Sequence, residues 1–380
     1  MRLGHSPAIM IRKLIWLIAL WWLLAPSHIL AEDRCKAPAP VCSARASVFI
    51  ISAFDPSASA VRISPTLLVA NRHSVADRKT VSITRPDGGT VTASVVPTAY
   101  DGDLILIEAM DLDPGPTLPV ATDITDGVAL YTVGGDVGRG KIRVYPPGGL
   151  LLRPDSAAPH GRLHHTAYTQ PGNSGGALVD QQGRLVGIVA SGGEGRFEAI
   201  PVREIERLKQ LSGAEFAAQS IALGIATRRC VELLEAPAQR TLSNERAGDL
   251  HATCSATANR QLFDLAARTL GQARRIDLAL DLSNRAFARD ANAFNTRLIL
   301  LTTLHIARRY EEELPHIAFL LEHLPGEQMV HRFAIQAGKW AGDMDLARRG
   351  LELVRKHNPA QAKAAEQFLN ADIPRPKPLQ

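Results

Sequence analysis

The chain has 380 residues, 46% of them hydrophobic and 21% charged, which is material for at least two cores and fits neither a disordered nor a fibrous protein. Its formal net charge is +5. Residues 1–31 hold Arg2, Arg12 and Lys13 and no acid, so without them 40 basic residues face 38 acidic ones. The basic balance is therefore no argument for nucleic acid or a membrane surface as partner.

At the start of the chain, Arg12-Lys13 precedes an uncharged run from Leu14 to Leu24, then Pro26, Ser27 and a cleavage point after Ala31. Eleven apolar residues are too few to span a bilayer but suit the core of a secretory leader. The reading is a signal peptide over 1–31, an exported chain, and no stable membrane anchor after cleavage; an uncleaved anchor running on to Ala31 is the alternative.

All four cysteines, Cys35, Cys42, Cys230 and Cys254, lie in the exported part, and an even count in an oxidising compartment suggests two disulfides. Cys35 with Cys42 closes a short loop. Two helices leaving the loop 236–248 in opposite directions set Cys230 beside Cys254, the pairing favoured among the three open. No Cys-x-x-Cys or Cys/His cluster is present, which argues against zinc. Nothing in the sequence calls for a cofactor.

From Ala46 to about Gly193, short runs rich in Val, Ile, Leu and Thr alternate with Gly, Pro, Asn and Asp. Val48–Phe54, Thr80–Arg85, Thr90–Val96, Leu104–Glu108, Val128–Val133 and Leu185–Ala190 read as strands, and Asp87-Gly88-Gly89 as a hairpin turn. Many short strands without helices between them indicate an antiparallel sandwich or barrel.

Three stretches in this region carry polar residues in chemically suggestive places. Thr66-Leu67-Leu68-Val69-Ala70 runs directly into the polar turn Asn71-Arg72-His73-Ser74. Asp103 opens the apolar run Leu104-Ile105-Leu106-Ile107, with Asp101 two positions before it. Pro171-Gly172-Asn173-Ser174-Gly175-Gly176 precedes Ala177-Leu178-Val179. A serine flanked by glycines lets the backbone turn sharply enough for its own N–H groups to face the oxygen of a bound carbonyl, so Ser174 is a candidate nucleophile. Glycines also make ordinary turns, and a lone histidine after a strand is more often a surface residue.

Together these segments resemble trypsin-like serine peptidases, in the bacterial form of the periplasmic HtrA (high-temperature-requirement) proteases. The resemblance implies a double β-barrel over roughly residues 40–212, with a histidine and an aspartate upstream of the serine, in that order. It assigns His73 as general base, Asp103 rather than Asp101 as the residue orienting it, and Ser174 as nucleophile, with the amides of Gly172 and Ser174 as the oxyanion hole. His160, His164 and His165 stand too near Ser174 in sequence to fit that order. It also makes Gly183–Ile188 a strand paired by an extended substrate, Ser191–Gly195 a loop beside the specificity pocket, and Tyr168 part of that pocket. Asn173 departs from the aspartate of the digestive branch, and no Ile-Val-Gly-Gly start follows an activation site, so competence without proteolytic activation is implied. The location implied is the periplasm.

Pro201–Leu211 reads as the helix closing such a domain, with Pro201 in its first turn. After Ser212-Gly213 the composition turns to Ala, Leu, Arg and Glu, giving a helix over 214–235, the loop 236–248 and, together, a helical linker over 213–259. From Arg260 the chain repeats at an offset of 34: Ile276, Tyr310 and Met344 align, as do Ala291, Pro325 and Pro359. With Ala279 and Ala347 early in second helices, this resembles the tetratricopeptide repeat, in three copies at 260–293, 294–327 and 328–361 and a capping helix near Gln361–Asn370. Arg274-Arg275 and Arg308-Arg309 fall at turns and read as solvated. The tail 371–380, with Pro374-Arg375-Pro376-Lys377-Pro378, reads as disordered. No PDZ-like region is evident.

The fold class expected is multidomain: an all-β trypsin-like double barrel followed by an all-α tetratricopeptide-like solenoid. The function expected is an exported serine endopeptidase acting on polypeptides, whose repeats bind substrate or a protein partner. The competing reading is a catalytically silent protease-like domain on a repeat scaffold, acting as a peptide-binding adaptor.

Overall fold

The first sheet follows from clean alternation. In Thr90–Val96 the side chains of Val91 and Ala93 point inward and those of Thr90, Thr92 and Ser94 outward. The structure, a computed structural model, describes residues 35–154, 158, 160–193, 195–236 and 242–379. The leader expected over 1–31 lies outside the described residues. Strands β1 (Val48–Ser52), β2 (Ala58–Arg62), β3 (Leu67–Ala70), β4 (Thr80–Thr84), β5 (Thr90–Val96) and β6 (Ile105–Glu108) close a barrel in the order β1-β2-β3-β6-β5-β4. Its interior is filled by Ile51, Leu68, Val81, Ile83, Ile105 and Ile107. Each such side chain contributes about 1.5–3 kcal/mol when fully buried. The expected hairpin at Asp87-Gly88-Gly89 joins β4 to β5, with Gly88 at φ 87°.

A second, seven-stranded sheet contains β7 (Leu130–Asp136), β8 (Lys141–Val144), β9 (Leu150–Leu152), β10 (Leu163–His165), β11 (Ala177–Asp180), β12 (Leu185–Gly193) and β13 (Arg196–Pro201), in the order β8-β7-β11-β12-β13-β10-β9. Strand β11 is buried at every position, because one face meets its own sheet's core and the other the first barrel. The core between the two sheets joins Val61 and Val69 to Val133, Val179 and Ile188.

Several short strands, β2, β8, β9, β10 and β13, do not stand out in sequence. The last corrects the expected closing helix. Pro201 pairs with Gly187 at the end of β13, and the helix starts only at Glu204. Proline lacks an N–H and fits the end of a strand as well as the first turn of a helix.

Helices α1 (Ala39–Ser43), α2 (Arg72–Val75) and α3 (Glu204–Gln210) belong to the β region. Then come α4 (Ala217–Glu235), α5 (Asn244–Ser255), α6 (Arg260–Gln272), α7 (Ile276–Arg289), α8 (Phe294–Ala307), α9 (Tyr310–His323), α10 (Gln328–Ala341), α11 (Met344–His357) and α12 (Pro359–Asn370). The molecule is therefore a pair of barrel-like β domains followed by a run of helices. The helix pairs α6/α7, α8/α9 and α10/α11 start at Arg260, Phe294 and Gln328, a spacing of 34 residues. At the same spacing the turn inside each pair holds one left-handed residue: Arg274 at φ 58°, Arg308 at 62° and Gly342 at 87°.

Cys230 of α4 and Cys254 of α5 form a disulfide, and Cys35 and Cys42 are also disulfide-bonded. Helix α4 lies on the first barrel, where a Cβ on Gly224 would meet the Ala76 carbonyl at 2.6 Å and Arg228 pairs with Asp77 at 3.0 Å. The tail runs extended over residues 371–379 and is bonded to the helices. Arg375 pairs with Glu311, Arg308 donates to the Lys377 carbonyl at 2.9 Å, and the Leu379 amide donates to Ala307 at 3.1 Å. Among the described residues no helix is long and apolar enough to cross a membrane.

Candidate active site

The chain leaves β3 at Ala70, turns at the buried Asn71 and enters the single-turn helix α2, which carries His73. Asp103 stands two residues before β6, the strand that pairs with β3, so the two residues face each other at one end of the barrel. His73 Nδ1 lies 2.7 Å from Asp103 Oδ2, and the His73 backbone N–H donates to Asp103 Oδ1 at 3.0 Å. The Asn71 side chain donates to the Asp103 carbonyl at 3.0 Å. Asp101 is elsewhere: its side chain is 41% exposed and meets His160 at 3.3 Å.

Burial works against a charged imidazole, but the Asp103 charge and hydrogen bond outweigh it, so the His73 pKa lies above its ordinary value. Burial likewise pushes Asp103 up, and His73 and Arg162 hold it below the usual carboxylate range. Such a pair fixes the imidazole with Nε2 free to accept a proton.

Ser174 comes from the second sheet, in the turn before β11. Its carbonyl accepts from the Ser59 amide of β2 at 2.7 Å, and a Cβ on Gly175 would stand 2.0 Å from the Ser59 carbonyl and 3.3 Å from Ala70 Cα. Only glycine, at φ 84°, permits that approach. The turn thus rests on β2 and on the last residue of β3, three positions before His73. The Ser174 hydroxyl is directed at the Ala190 carbonyl of β12, 3.5 Å away, and is not hydrogen-bonded to His73.

Asn173, fully buried, shapes this turn. Its Nδ2 donates to the Gly135 carbonyl at 2.9 Å and its Oδ1 accepts from the Gln170 amide at 2.9 Å. Gly172 has φ 93°, and its carbonyl accepts from Ser59 Oγ at 2.7 Å. Among the described residues the amides of Gly172 and Ser174 have no protein acceptor. Tyr168 is half exposed, with its ring 6.0 Å from Tyr145 and 6.1 Å from Phe197.

A set of charges that no motif announces stands behind Asp103. Arg162, 5% exposed, lies 3.9 Å from Asp103 Oδ2, bonds Glu198 at 3.1 Å and donates to Ser191 Oγ at 2.9 Å. Glu198 also pairs with Arg260 of α6, which bonds Asp264 at 2.9 Å and Thr296 of α8 at 2.7 Å. Burial pushes the Glu198 carboxyl up, but Arg260 and Arg162 hold it well below the ordinary range. The one sequence signal was a charged residue inside the apolar strand Phe197-Glu198-Ala199-Ile200. Among the described residues no group of three or more His, Cys, Asp or Glu side chains is arranged to hold a metal.

Comparison with known proteins agrees with this architecture in part of the chain. Residues 58–188 match the family model described as "Trypsin-like peptidase domain". The chain is 29% identical over 129 residues to the mitochondrial serine protease HTRA2 of Bos taurus, across 32% of this chain and 28% of that protein. Among solved structures it is similar to the HtrA-type protease AlgW with tripeptide, at 26% identity, 45% of this chain, 61% of that one and a TM-score of 0.40. It is also similar to the inactive form of Rv3671c protease, at 20% identity, 46% of this chain, 97% of that one and a TM-score of 0.40. The chain thus spans under a third of the length of the curated relative. The family match falls within the two β domains, where the candidate site stands.

Proposed function

We propose that the chain is an exported serine endopeptidase in which Ser174 attacks a peptide carbonyl, His73 takes its proton and Asp103 orients the imidazole. The amides of Gly172 and Ser174 receive the oxyanion, each worth about 3 kcal/mol of transition-state stabilisation. An acyl-enzyme forms, the amine half of the substrate leaves with the proton held by His73, and water activated by His73 releases the acid half. The helical region takes the part of recruiting substrate or a protein partner, and its 34-residue period supports a tetratricopeptide-like reading.

The observation that carries this reading is the 2.7 Å contact between half-buried His73 and buried Asp103 at the barrel end on which the Ser174 turn rests. An adaptor needs neither that pair nor two unengaged amides beside a serine. The missing His73–Ser174 hydrogen bond is compatible with it, since such contacts commonly tighten only when substrate binds. The test is digestion of casein and labelling by a fluorophosphonate probe, with no activating protease added. Wild type is expected to do both, and Ser174→Ala to lose labelling and about a million-fold in kcat. Equal casein clearance by the two proteins would leave the adaptor reading standing.

A further inference from the structure

A cavity of about 440 Å³ opens between the β12–β13 hairpin and the helices, within the range of roughly 300–1,000 Å³ typical of ligand sites. One wall is the end of β12, Ser191, Gly192 and Gly193; the other, on the helices, sets Leu265, Leu298, Ile299, Ile306 and Met329 beside polar and charged side chains. From this geometry we infer that the cavity is the seat of the substrate's acyl-side segment, the residues N-terminal to the scissile bond, bound as an extended chain between β12 and the helices α6 and α8. The inference rests on the protease reading above and names the site through which the helical region would act.

Continuity with the nucleophile sets the occupant. Ala190, whose carbonyl is 3.5 Å from Ser174 Oγ, is followed directly by the three β12 residues that line the cavity. A polypeptide held at Ser174 and lying along β12 at about 3.3 Å per residue enters the cavity within two or three residues. The leaving half of the substrate has to depart before water attacks, whereas the acyl half stays attached, so a deep seat suits the acyl half.

The chemistry of the walls sets the class of ligand. Most of the cavity's exposed lining is apolar, so aliphatic or aromatic substrate residues gain most there. Gln261 Oε1 and Asp264 Oδ1 line the same cavity and are buried acceptors without a donor, a cost that backbone N–H groups of an extended peptide would relieve. Gly193 has nothing within 4 Å of where a Cβ would stand, which leaves that side clear for a chain. The wall is held in place beforehand, because Arg260 of α6 is bonded to Glu198, and Glu198 to Ser191 at 2.9 Å.

Two measurements test the inference. The first is kcat/KM for fluorogenic amides lengthened from one to six apolar residues on the acyl side. A rise of at least tenfold is expected on adding the third to fifth residue, and Thr302→Trp and Leu265→Asp, on half-buried cavity positions, are expected to erase that gain. A flat series, a gain that survives both variants, or a gain found only with extensions on the leaving side overturns it while leaving the protease reading intact. The second is fluorescence anisotropy of a labelled apolar decapeptide on Ser174→Ala protein, which reads the cavity without turnover. At least tenfold weaker binding is expected when Thr302→Trp is added, and no binding by the Ser174→Ala protein overturns the inference. If no substrate of any length is cleaved, the protease reading falls, and the anisotropy still decides whether the cavity holds peptide.

Discussion

His73 can take a proton from Ser174 only when its imidazole is neutral. Its pKa is raised above the ordinary value, so on the proposed mechanism activity falls as pH drops through a pKa above 6.5, and kcat/KM against pH is expected to show that acid limb. Asp103→Asn should lower kcat about ten-thousand-fold and move the limb to lower pH, because the group that favours the imidazolium is gone. Arg162 acts in the opposite sense, its cation disfavouring a second positive charge on His73. Arg162→Gln is therefore expected to move the limb to higher pH, a shift that a purely structural role for Arg162 would not produce. The sequence displayed His73, Asp103 and Ser174 because each stands at a strand end. Arg162 carried no comparable signal, since its partners lie at 103, 191 and 198 and only folding collects them.

The strands and helix pairs were legible because burial imprints a period on the chain, two residues for β5 and about three and a half for α6 and α11. Strands such as β9 and β10, of three residues each, are too short to display one. The intra-pair turns give a check of opposite signs at equivalent positions. Arg274 is exposed in a left-handed conformation, which costs a non-glycine residue about 1 kcal/mol, so Arg274→Gly is expected to stabilise the protein by up to that amount in urea unfolding. Gly342→Ala, in open space at φ 87°, should destabilise it by about 1 kcal/mol.

Between the β domains and the helices, the joint is charged where a core would ordinarily be apolar. Arg162, Glu198, Arg260 and Asp264 are all buried at this joint, and removing one partner of such a set strands another charge. Arg260→Met is expected to cost about 3–5 kcal/mol by chemical denaturation, and adding Glu198→Gln to recover part of it. Glu198 and Asp290 are both held below the carboxylate range against the effect of burial, Glu198 by Arg260 and Arg162, and Asp290 by His164, 3.4 Å away, and Arg260. Their contribution is therefore complete above the unfolded carboxylate pKa of about 4.3 and is lost as pH falls below it. Thermal stability is expected to decline steeply in acid, and less so in Glu198→Gln.

The order histidine, aspartate, serine, the glycine-bracketed turn at Ser174, the barrel-forming strands and the 34-residue helical period were all set down in the sequence, because each is a local or periodic pattern. What the tertiary structure alone decided is what those elements face. It set Arg162 behind Asp103, ran β13 through Pro201, and laid the tail on α8 and α9. It also set the helical wall against the end of β12 to enclose a cavity. A sequence pattern tells which face of an element must leave water; the partner that covers it is chosen by shape and charge across segments dozens of residues apart.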